Sequence, residues 1–158
     1  MQISTHSPPH FPVNAVKFEP QPPFEVAALK QAPPFRYVDD IFEGSPNAKT
    51  LAGWVELKAS EARYFDPALS NVLLIEALAQ LSGIIIRRET GLSFGGLLIG
   101  VETAACAPYQ PKRSGILLHV EIVEANLPLF RMSAGAYQNG ETLCRCTLST
   151  RVNLGEVQ

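Results

Sequence analysis

The most apolar stretch of the chain covers Val72–Ile86 and contains the segment VLLIEALAQLSG. Its apolar residues fall on nearly every side of a helix, a pattern that is typical of a buried helix rather than a surface one. Ser70 and Asn71 are both good N-cap residues, and Gly91 suits the position that follows the last helical turn. The pattern therefore predicts one buried helix over about Val72–Thr90.

Six other segments have the residue pattern of β-strands and are separated by turn signals. Asn139-Gly140, between the last two segments, is a strong signal for a tight hairpin. The predicted strands are Phe35–Phe42, Thr50–Leu57, Leu97–Ala105, Ile116–Ala125, Leu129–Gln138 and Glu141–Val152. A helix that is apolar all round must be wrapped by another element, so the pattern predicts an α+β fold in which a curved antiparallel sheet of about six strands surrounds one long helix.

The N-terminal segment differs from the rest of the chain. Residues 1–28 contain six of the 13 prolines, and proline fixes φ and removes a backbone donor. We therefore expect residues 1–28 to form an extended arm and residues 29–158 to form a single domain.

Composition and charge narrow the class of protein. A net charge of -2 argues against nucleic acid as the main partner. Three cysteines without an export signal favour a reducing compartment, and we expect a cytoplasmic protein in which Cys106, Cys144 and Cys146 are small structural residues. The apolar run is too short and too polar to span a membrane. No cofactor or metal motif is present, and none is expected.

One carboxylate, that of Glu76, lies within the apolar helix. Gln80, Gly83 and Arg87 follow it at spacings of four, seven and eleven residues, so all four lie on one stripe of the helix. A buried carboxylate must be paired, protonated or used. Glu76 is therefore either a structural glutamate paired with a neighbour such as Gln80, or a general acid or base that Gln80 orients.

The segment Val72–Gly83 resembles the central helix of the hotdog-fold 3-hydroxyacyl-[acyl-carrier-protein] dehydratases, the FabZ-like family. Pro34–Ile41 is similar to the early Pro-Phe…Val-Asp strand of that family. Glu102–Gln110 and the hairpin at Asn139–Glu141 are similar to its C-terminal half. The resemblance covers about Leu29–Val152 and leaves the N-terminal arm outside.

This resemblance implies a hotdog fold that is usually dimeric and sometimes an assembly of three dimers. It also implies a tunnel for an acyl thioester at the dimer interface. In the family, a histidine in a loop before the helix removes the C2 proton, and a helix carboxylate of the other subunit protonates the departing 3-hydroxyl. Glu76 matches the position of that carboxylate.

The loop before the helix departs from the family pattern. The family has roughly Gly-His-Phe-Pro, whereas this chain has Ala62-Arg63-Tyr64-Phe65-Asp66-Pro67, and the histidine is missing. An alignment on Phe65 puts Tyr64 at the histidine position, but an ordinary tyrosine is a poor base at neutral pH. The second catalytic group is therefore expected to be Tyr64, Asp66 or a water molecule.

Further site residues follow from the stripe and the resemblance. The helix N-terminus offers free N–H groups to a thioester carbonyl that gains negative charge. We expect substrate contacts from Phe65, Asn71, Val72, Gln80 and Gly83. Basic residues that could meet a carrier protein or its phosphopantetheine arm are Arg87, Arg88, Lys112 and Arg113.

Three functions remain open. The first is a 3-hydroxyacyl-thioester dehydratase, a lyase of fatty acid or polyketide type metabolism, with an altered site. The second is a non-catalytic acyl-binding or partner subunit that pairs with a histidine-bearing homologue. The third is a thioesterase for acyl-CoA or acyl-carrier-protein substrates. The expected partners are an acyl thioester, a carrier protein, and a second subunit in a homodimer, a trimer of dimers or a heterodimer.

Overall fold

The computed structural model describes residues 37–43, 50–55, 70–91, 97–107 and 115–152. Residues 1–28, predicted as an arm, lie outside this part, so the predicted division into an arm and a domain stays a prediction. Within these ranges the chain forms one helix and six strands. They are β1 (Asp40–Glu43), β2 (Thr50–Val55), α1 (Ser70–Thr90), β3 (Leu97–Cys106), β4 (Ile116–Asn126), β5 (Leu129–Gln138) and β6 (Glu141–Arg151).

The six strands form one antiparallel sheet in the order β1-β2-β4-β5-β6-β3. This confirms the predicted α+β fold of one long helix and an antiparallel sheet. The burial pattern of the strands agrees with the alternation of apolar and polar residues in the sequence. In β4, for example, Ile116, Leu118 and Val120 are fully buried, whereas the intervening residues are less buried.

The helix α1 packs against one face of the sheet, and the core lies between them. Leu78, Leu81, Ile85 and Ile86 of the helix have no exposed surface. The helix begins at Ser70, two residues before the predicted start, so Ser70 and Asn71 belong to its first turn. The Ser82 hydroxyl, buried in the same core, donates a hydrogen bond to the Leu78 carbonyl (2.8 Å) and so has a partner inside the helix.

Two turns have the backbone conformation that the sequence indicates. Asn139 and Gly140 have φ angles of 51° and 82°, the left-handed values that a tight hairpin turn of this type requires. Gly91 has a φ angle of 68° and its N–H donates to the Arg87 carbonyl at 2.8 Å, which closes the last turn of α1. Both predicted glycine positions are therefore confirmed.

The cysteines differ from the expectation. Cys106 and Cys144 face each other across β3 and β6 and form a disulfide, so they are not independent small core residues. The spacing of Cys144 and Cys146 along β6 could not predict the disulfide, because the partner of Cys144 lies 38 residues away in sequence. Cys146 is a free, buried cysteine, as expected, and burial raises the pKa of its thiol to about 11.

Strand β3 lies at one edge of the described sheet and pairs only with β6 there. Two irregularities interrupt this pairing, one between Leu98 and Gly100 and one between Val101 and Thr103. Most of the strand is exposed, including Val101, although its neighbour across the ladder, Leu148, is fully buried. The helix therefore leaves the inner face of β3 partly uncovered.

Within the described residues, no helix is long and apolar enough to cross a membrane.

Candidate functional site

The site is built on one strip of α1 that the sheet does not cover. The helix is apolar on nearly all sides, yet Val72 is 60% exposed, and Glu76, Ala79 and Gly83 are only partly buried. Their spacing of three to four residues places them along one line. The prediction of a helix buried all round was therefore wrong along this strip, and the strip contains the carboxylate.

A chain of two hydrogen bonds fixes the Glu76 carboxylate. The Gln80 amide nitrogen Nε2 donates to Glu76 Oε1 at 2.9 Å, and the Tyr37 backbone N–H donates to Gln80 Oε1 at 2.9 Å. Because the Tyr37 N–H can only donate, the Gln80 amide oxygen must face it and the Gln80 NH₂ must face Glu76. The orientation of the amide therefore follows from the backbone.

This arrangement gives the two carboxylate oxygens of Glu76 different surroundings. Oε1 accepts the hydrogen bond of Gln80, which is only 4% exposed. Oε2 has no hydrogen-bond partner among the residues that the structure describes. Oε2 is therefore the carboxylate oxygen that can still accept a hydrogen bond. The hydrogen bond fits both expectations for Gln80, as the partner of a structural Glu76 and as a group that orients a catalytic one.

Gly83 leaves open space on the same strip. A Cβ atom built at this position would meet no described atom within 4 Å. The absence of a side chain is therefore not required by packing within the described part of the chain. It is consistent with the close approach of a ligand or of another chain.

Asn71, near the N-terminus of α1, has an acceptor that is not satisfied. Its Oδ1 is buried and has no hydrogen-bond partner, although the residue as a whole is partly exposed. It does not act as the N-cap that the sequence suggested, because it lies within the first turn and accepts no helix N–H. A buried acceptor without a donor costs stability, so this oxygen is available to a donor of a ligand or a water molecule.

Arg87 and Arg88 lie at the C-terminal end of α1, where positive charge suits the helix dipole. Arg88 also donates a hydrogen bond to the Thr50 carbonyl of β2 (3.3 Å) and lies 4.0 Å from Glu89. It therefore ties the helix end to the sheet, a role that the sequence did not suggest.

The remaining predicted site residues lie outside the described part of the chain. They are Tyr64, Phe65, Asp66, Lys112 and Arg113. Their expected roles stay predictions.

Sequence reasoning missed Tyr37, which contributes to the site through its backbone N–H. No side-chain pattern signals such a contact, and the residue is 43 positions away from Gln80. The contact becomes visible only in the fold, where Tyr37 lies next to α1.

His119, the histidine of the described part, lies away from this site. Its neighbours in β4, Leu118 and Val120, are fully buried in the core, so His119 points to the opposite face of the sheet. Burial lowers the pKa of its imidazole, and the nearby Glu121 charge opposes that effect. His119 is therefore a residue of the sheet and is not part of this site.

No protein-family model matches the chain. Among curated proteins, the chain is similar to the 3-hydroxyacyl-[acyl-carrier-protein] dehydratase FabZ of Oleidesulfovibrio alaskensis. It is 26% identical over 128 residues, which span 75% of this chain and 82% of that protein.

Several solved structures have the same architecture. The dehydratase heterocomplex ApeI:P from Xenorhabdus doucetiae matches with a TM-score of 0.64 and 16% identity, over 82% of this chain and 91% of that one. Zebrafish thioesterase superfamily member 2 matches with a TM-score of 0.63 and 12% identity, over 82% and 94%. A hypothetical thioesterase with coenzyme A from Streptococcus pneumoniae matches with a TM-score of 0.56 and 16% identity, over 72% and 84%.

The helix, the sheet order and these likenesses define the chain as a hotdog-fold protein. Within this class, the chain resembles the FabZ-like dehydratases in sequence, as the helix motif predicted.

Proposed function

We propose that this protein acts on acyl thioesters as a dehydratase-like enzyme with an altered site. The observation that supports this most is the fixed carboxylate of Glu76 on the uncovered strip of α1. The similarity to a 3-hydroxyacyl-[acyl-carrier-protein] dehydratase supplies the substrate class.

In the proposed reaction, a 3-hydroxyacyl thioester loses water to give a 2-enoyl thioester. Glu76 gives its Oε2 proton to the departing 3-hydroxyl group, which leaves as water. A second group removes the C2 proton, and the electron pair of that C–H bond forms the C2–C3 double bond. Tyr64, Asp66 or a water molecule takes that proton in this proposal. The Gln80 amide holds Oε1 so that the other oxygen faces the substrate.

The test is an assay of purified protein with 3-hydroxyacyl and crotonyl thioesters that follows hydration and free thiol in the same sample. Glu76→Gln is expected to lower the hydration rate by about 10²-fold or more, because general acid catalysis contributes about 10²–10⁴-fold. Glu89→Gln is the matched control, since Glu89 is an exposed glutamate on the same helix. If both variants keep the wild-type rate, Glu76 is not the acid and the proposal fails.

A second candidate is a subunit that contributes the carboxylate while a homologue contributes the histidine. The loop before α1 lacks the histidine of the family pattern, and one of the similar structures is a dehydratase heterocomplex. Under this alternative, the protein alone binds acyl thioester without turnover. Addition of a histidine-bearing homologue then restores hydration, and Glu76→Gln abolishes that restored activity.

A third candidate is a thioesterase, because some of the similar structures carry that name. In this case Glu76 would activate a water molecule for attack on the thioester carbonyl, and no histidine would be needed. The same assay distinguishes it, because thiol release without hydration, lost in Glu76→Gln, supports this candidate.

We further propose that the site is completed by a second subunit that pairs with the exposed edge of β3. This strand has a pairing partner on one side only within the described sheet, and edge strands offer unpaired backbone groups to another chain. A homodimer of this kind, or a larger assembly of such dimers, would cover Val101 on the inner face of β3.

The carrier of the acyl group is proposed to be an acyl carrier protein or coenzyme A, with Arg87 among the contacts. Arg87→Glu should weaken binding of the negatively charged carrier, and unchanged affinity would reject this contact.

We also propose a cytoplasmic setting. Reducing cytosol generally keeps thiols from forming stable disulfides, so Cys106 and Cys144 would there be present as thiols. Alkylation of intact cells followed by mass spectrometry checks this, since a fully oxidised pair would contradict the proposed compartment.

A further inference from the structure

The disulfide joins the edge strand of the described sheet to an inner strand. Cys106 is the last residue of β3, and Cys144 lies opposite it on β6, which pairs with β5 on its other side. Directly after the bond, the Ala107 N–H donates a hydrogen bond to the Leu143 carbonyl at 2.8 Å. The covalent bond therefore lies where β3 ends, beside a backbone hydrogen bond that extends the pairing by one residue.

Among the described residues, little else holds this end of β3 in place. Ala104, Ala105 and Ala107 are exposed, so the chain on either side of Cys106 buries little apolar surface. Within the described sheet the strand pairs with β6 alone, and two irregularities interrupt that ladder. Segments with few buried contacts open locally at a small cost in free energy. We therefore expect this end of β3 to open readily when the disulfide is absent.

The two sulfur atoms of the bond differ in their access to solvent. Cys144 has no exposed surface, whereas Cys106 is only partly buried and its two neighbours along the chain are exposed. Thiol–disulfide exchange requires that an attacking thiolate reach one of the two sulfur atoms. A small thiolate in solution can therefore reach the sulfur of Cys106 more easily than that of Cys144.

Cys146 shares the inner face of β6 with Cys144 but does not belong to this pair. It lies opposite Ala104 on β3 and Ala134 on β5, so no cysteine faces it in the described ladders. Burial raises the pKa of its thiol to about 11, which keeps the thiol protonated at neutral pH. Cys146 therefore provides a matched control, because it is a cysteine of the same strand that takes no part in the bond.

We propose that Cys106 and Cys144 form a redox-sensitive pair, which fastens the end of β3 to β6 when it is oxidised and releases it when it is reduced. In the proposed cytoplasmic setting the pair would be present as two thiols. A disulfide that forms in such a compartment is usually transient, catalytic or redox-sensing. This proposal is independent of the proposed acyl-thioester chemistry, so each can fail without the other.

The proposed reductant is a small thiol such as glutathione. Its thiolate attacks Sγ of Cys106, the S–S bond breaks, and the electron pair goes to Sγ of Cys144, which takes up a proton. A second glutathione thiolate attacks the glutathione sulfur of the mixed disulfide and releases Cys106, which takes up the second proton. Two glutathione molecules thus become one glutathione disulfide, and the protein disulfide becomes two thiols. Oxidation of the pair by glutathione disulfide is the reverse of these steps.

The experiment compares amide hydrogen exchange in the oxidised and reduced forms of the full chain by NMR. An excess of reduced glutathione should convert the native pair into two thiols, and glutathione disulfide should restore the bond, which the mass after alkylation measures. Reduction should speed exchange of the Ala107 N–H by about tenfold or more, because its hydrogen bond to Leu143 lies beside the broken disulfide.

A second amide serves as the control for local opening. The Val152 N–H donates to the Pro128 carbonyl at 2.8 Å and lies at the other end of the β5–β6 ladder. Its exchange should change by less than about twofold on reduction. An equal acceleration at Ala107 and Val152 would mean that the bond acts on the whole domain, and it would overturn the proposed fastening of β3.

Two variants separate the pair from the third cysteine. Cys106→Ala should show fast exchange at Ala107 under both redox conditions, whereas Cys146→Ala should respond to glutathione as the wild type does. In Cys144→Ala, glutathione disulfide should form a mixed disulfide with Cys106 in the native protein. The proposal is overturned if excess reduced glutathione leaves the native bond intact, or if exchange at Ala107 is the same in both redox forms of the wild type.

Discussion

Replacement of Gln80 by methionine tests whether the Tyr37–Gln80–Glu76 chain fixes the site. Methionine has a similar length but cannot form either hydrogen bond, and the position is only 4% exposed. Without the Gln80 oxygen, the Tyr37 N–H loses its acceptor in a partly buried place, which costs about 1–3 kcal/mol. Without the amide NH₂, the partly exposed Glu76 loses one bond that water replaces in part, for about 0.5–1 kcal/mol.

The two effects add to about 1.5–4 kcal/mol of lost unfolding free energy in Gln80→Met. With a urea dependence of about 2 kcal/mol per molar, the unfolding midpoint should fall by about 0.8–2 M. Far-UV circular dichroism in urea measures this directly. A loss below about 0.5 kcal/mol would refute the reasoning, because the loss of two partly buried hydrogen bonds should cost more than that.

Gln80→Glu separates the two bonds. Glutamate keeps an oxygen for the Tyr37 N–H but places a second carboxyl group against Glu76, within the present contact of 2.9 Å. Two carboxylates at this distance cannot both be ionised without cost, so the variant should be near wild type at about pH 5 and clearly less stable at about pH 8. The double variant Glu76→Gln/Gln80→Glu restores one donor and one acceptor and should lose this pH dependence. If Gln80→Glu showed none, the carboxyl groups would not be in contact.

Three further outcomes follow from single features. Gly83→Ala should stabilise the chain by about 0.5–1 kcal/mol, because a Cβ at this position meets no described atom. The same variant should lower thioester turnover, because the added methyl group would occupy space that the ligand uses. A variant that is more stable and also turns over thioester at least as fast as the wild type would contradict this prediction. Burial lowers the pKa of His119, so its contribution to stability is complete above about pH 6.5 and is lost as the pH falls through the folded-state pKa. In His119→Gln, the unfolding free energy measured in urea should therefore depend less on pH over this range. The same pH dependence in the variant and the wild type would count against this prediction. Cys146 is buried and Cys106 is bonded to Cys144, so the oxidised native protein should have no reactive thiol at pH 7. One thiol should react after unfolding, and three should react after unfolding and reduction. A thiol that reacts in the native oxidised protein would contradict either the burial of Cys146 or the disulfide.

The sequence was sufficient for the fold because its signals are local. Alternation in Ile116–Ala125, the Asn139-Gly140 turn and the glycine after α1 each depend on residues close together in the chain, and each is confirmed. The start of the helix was placed two residues late, since Ser70 and Asn71 are as acceptable in a first turn as at an N-cap.

The site was predictable only in part, because the contacts that the sequence did not predict join residues that are far apart in the chain. The spacing of Glu76 and Gln80 follows from the helix repeat, and their hydrogen bond confirms it. The Tyr37 N–H could not be inferred, since a backbone donor has no residue type to recognise it by. The Cys106–Cys144 bond depends on the pairing of β3 with β6, which no local pattern specifies.

The uncovered strip of α1 explains how a carboxylate can lie on a helix that is otherwise apolar. Each side chain on the sheet side of the helix is buried, and a charge there would need a full set of partners. On the strip, Glu76 accepts a hydrogen bond from Gln80 through one oxygen, and its other oxygen has no hydrogen-bond partner among the described residues. Val72 of the helix is 60% exposed and Val101 of β3 is 41% exposed, and burial of either side chain in a contact would be favourable.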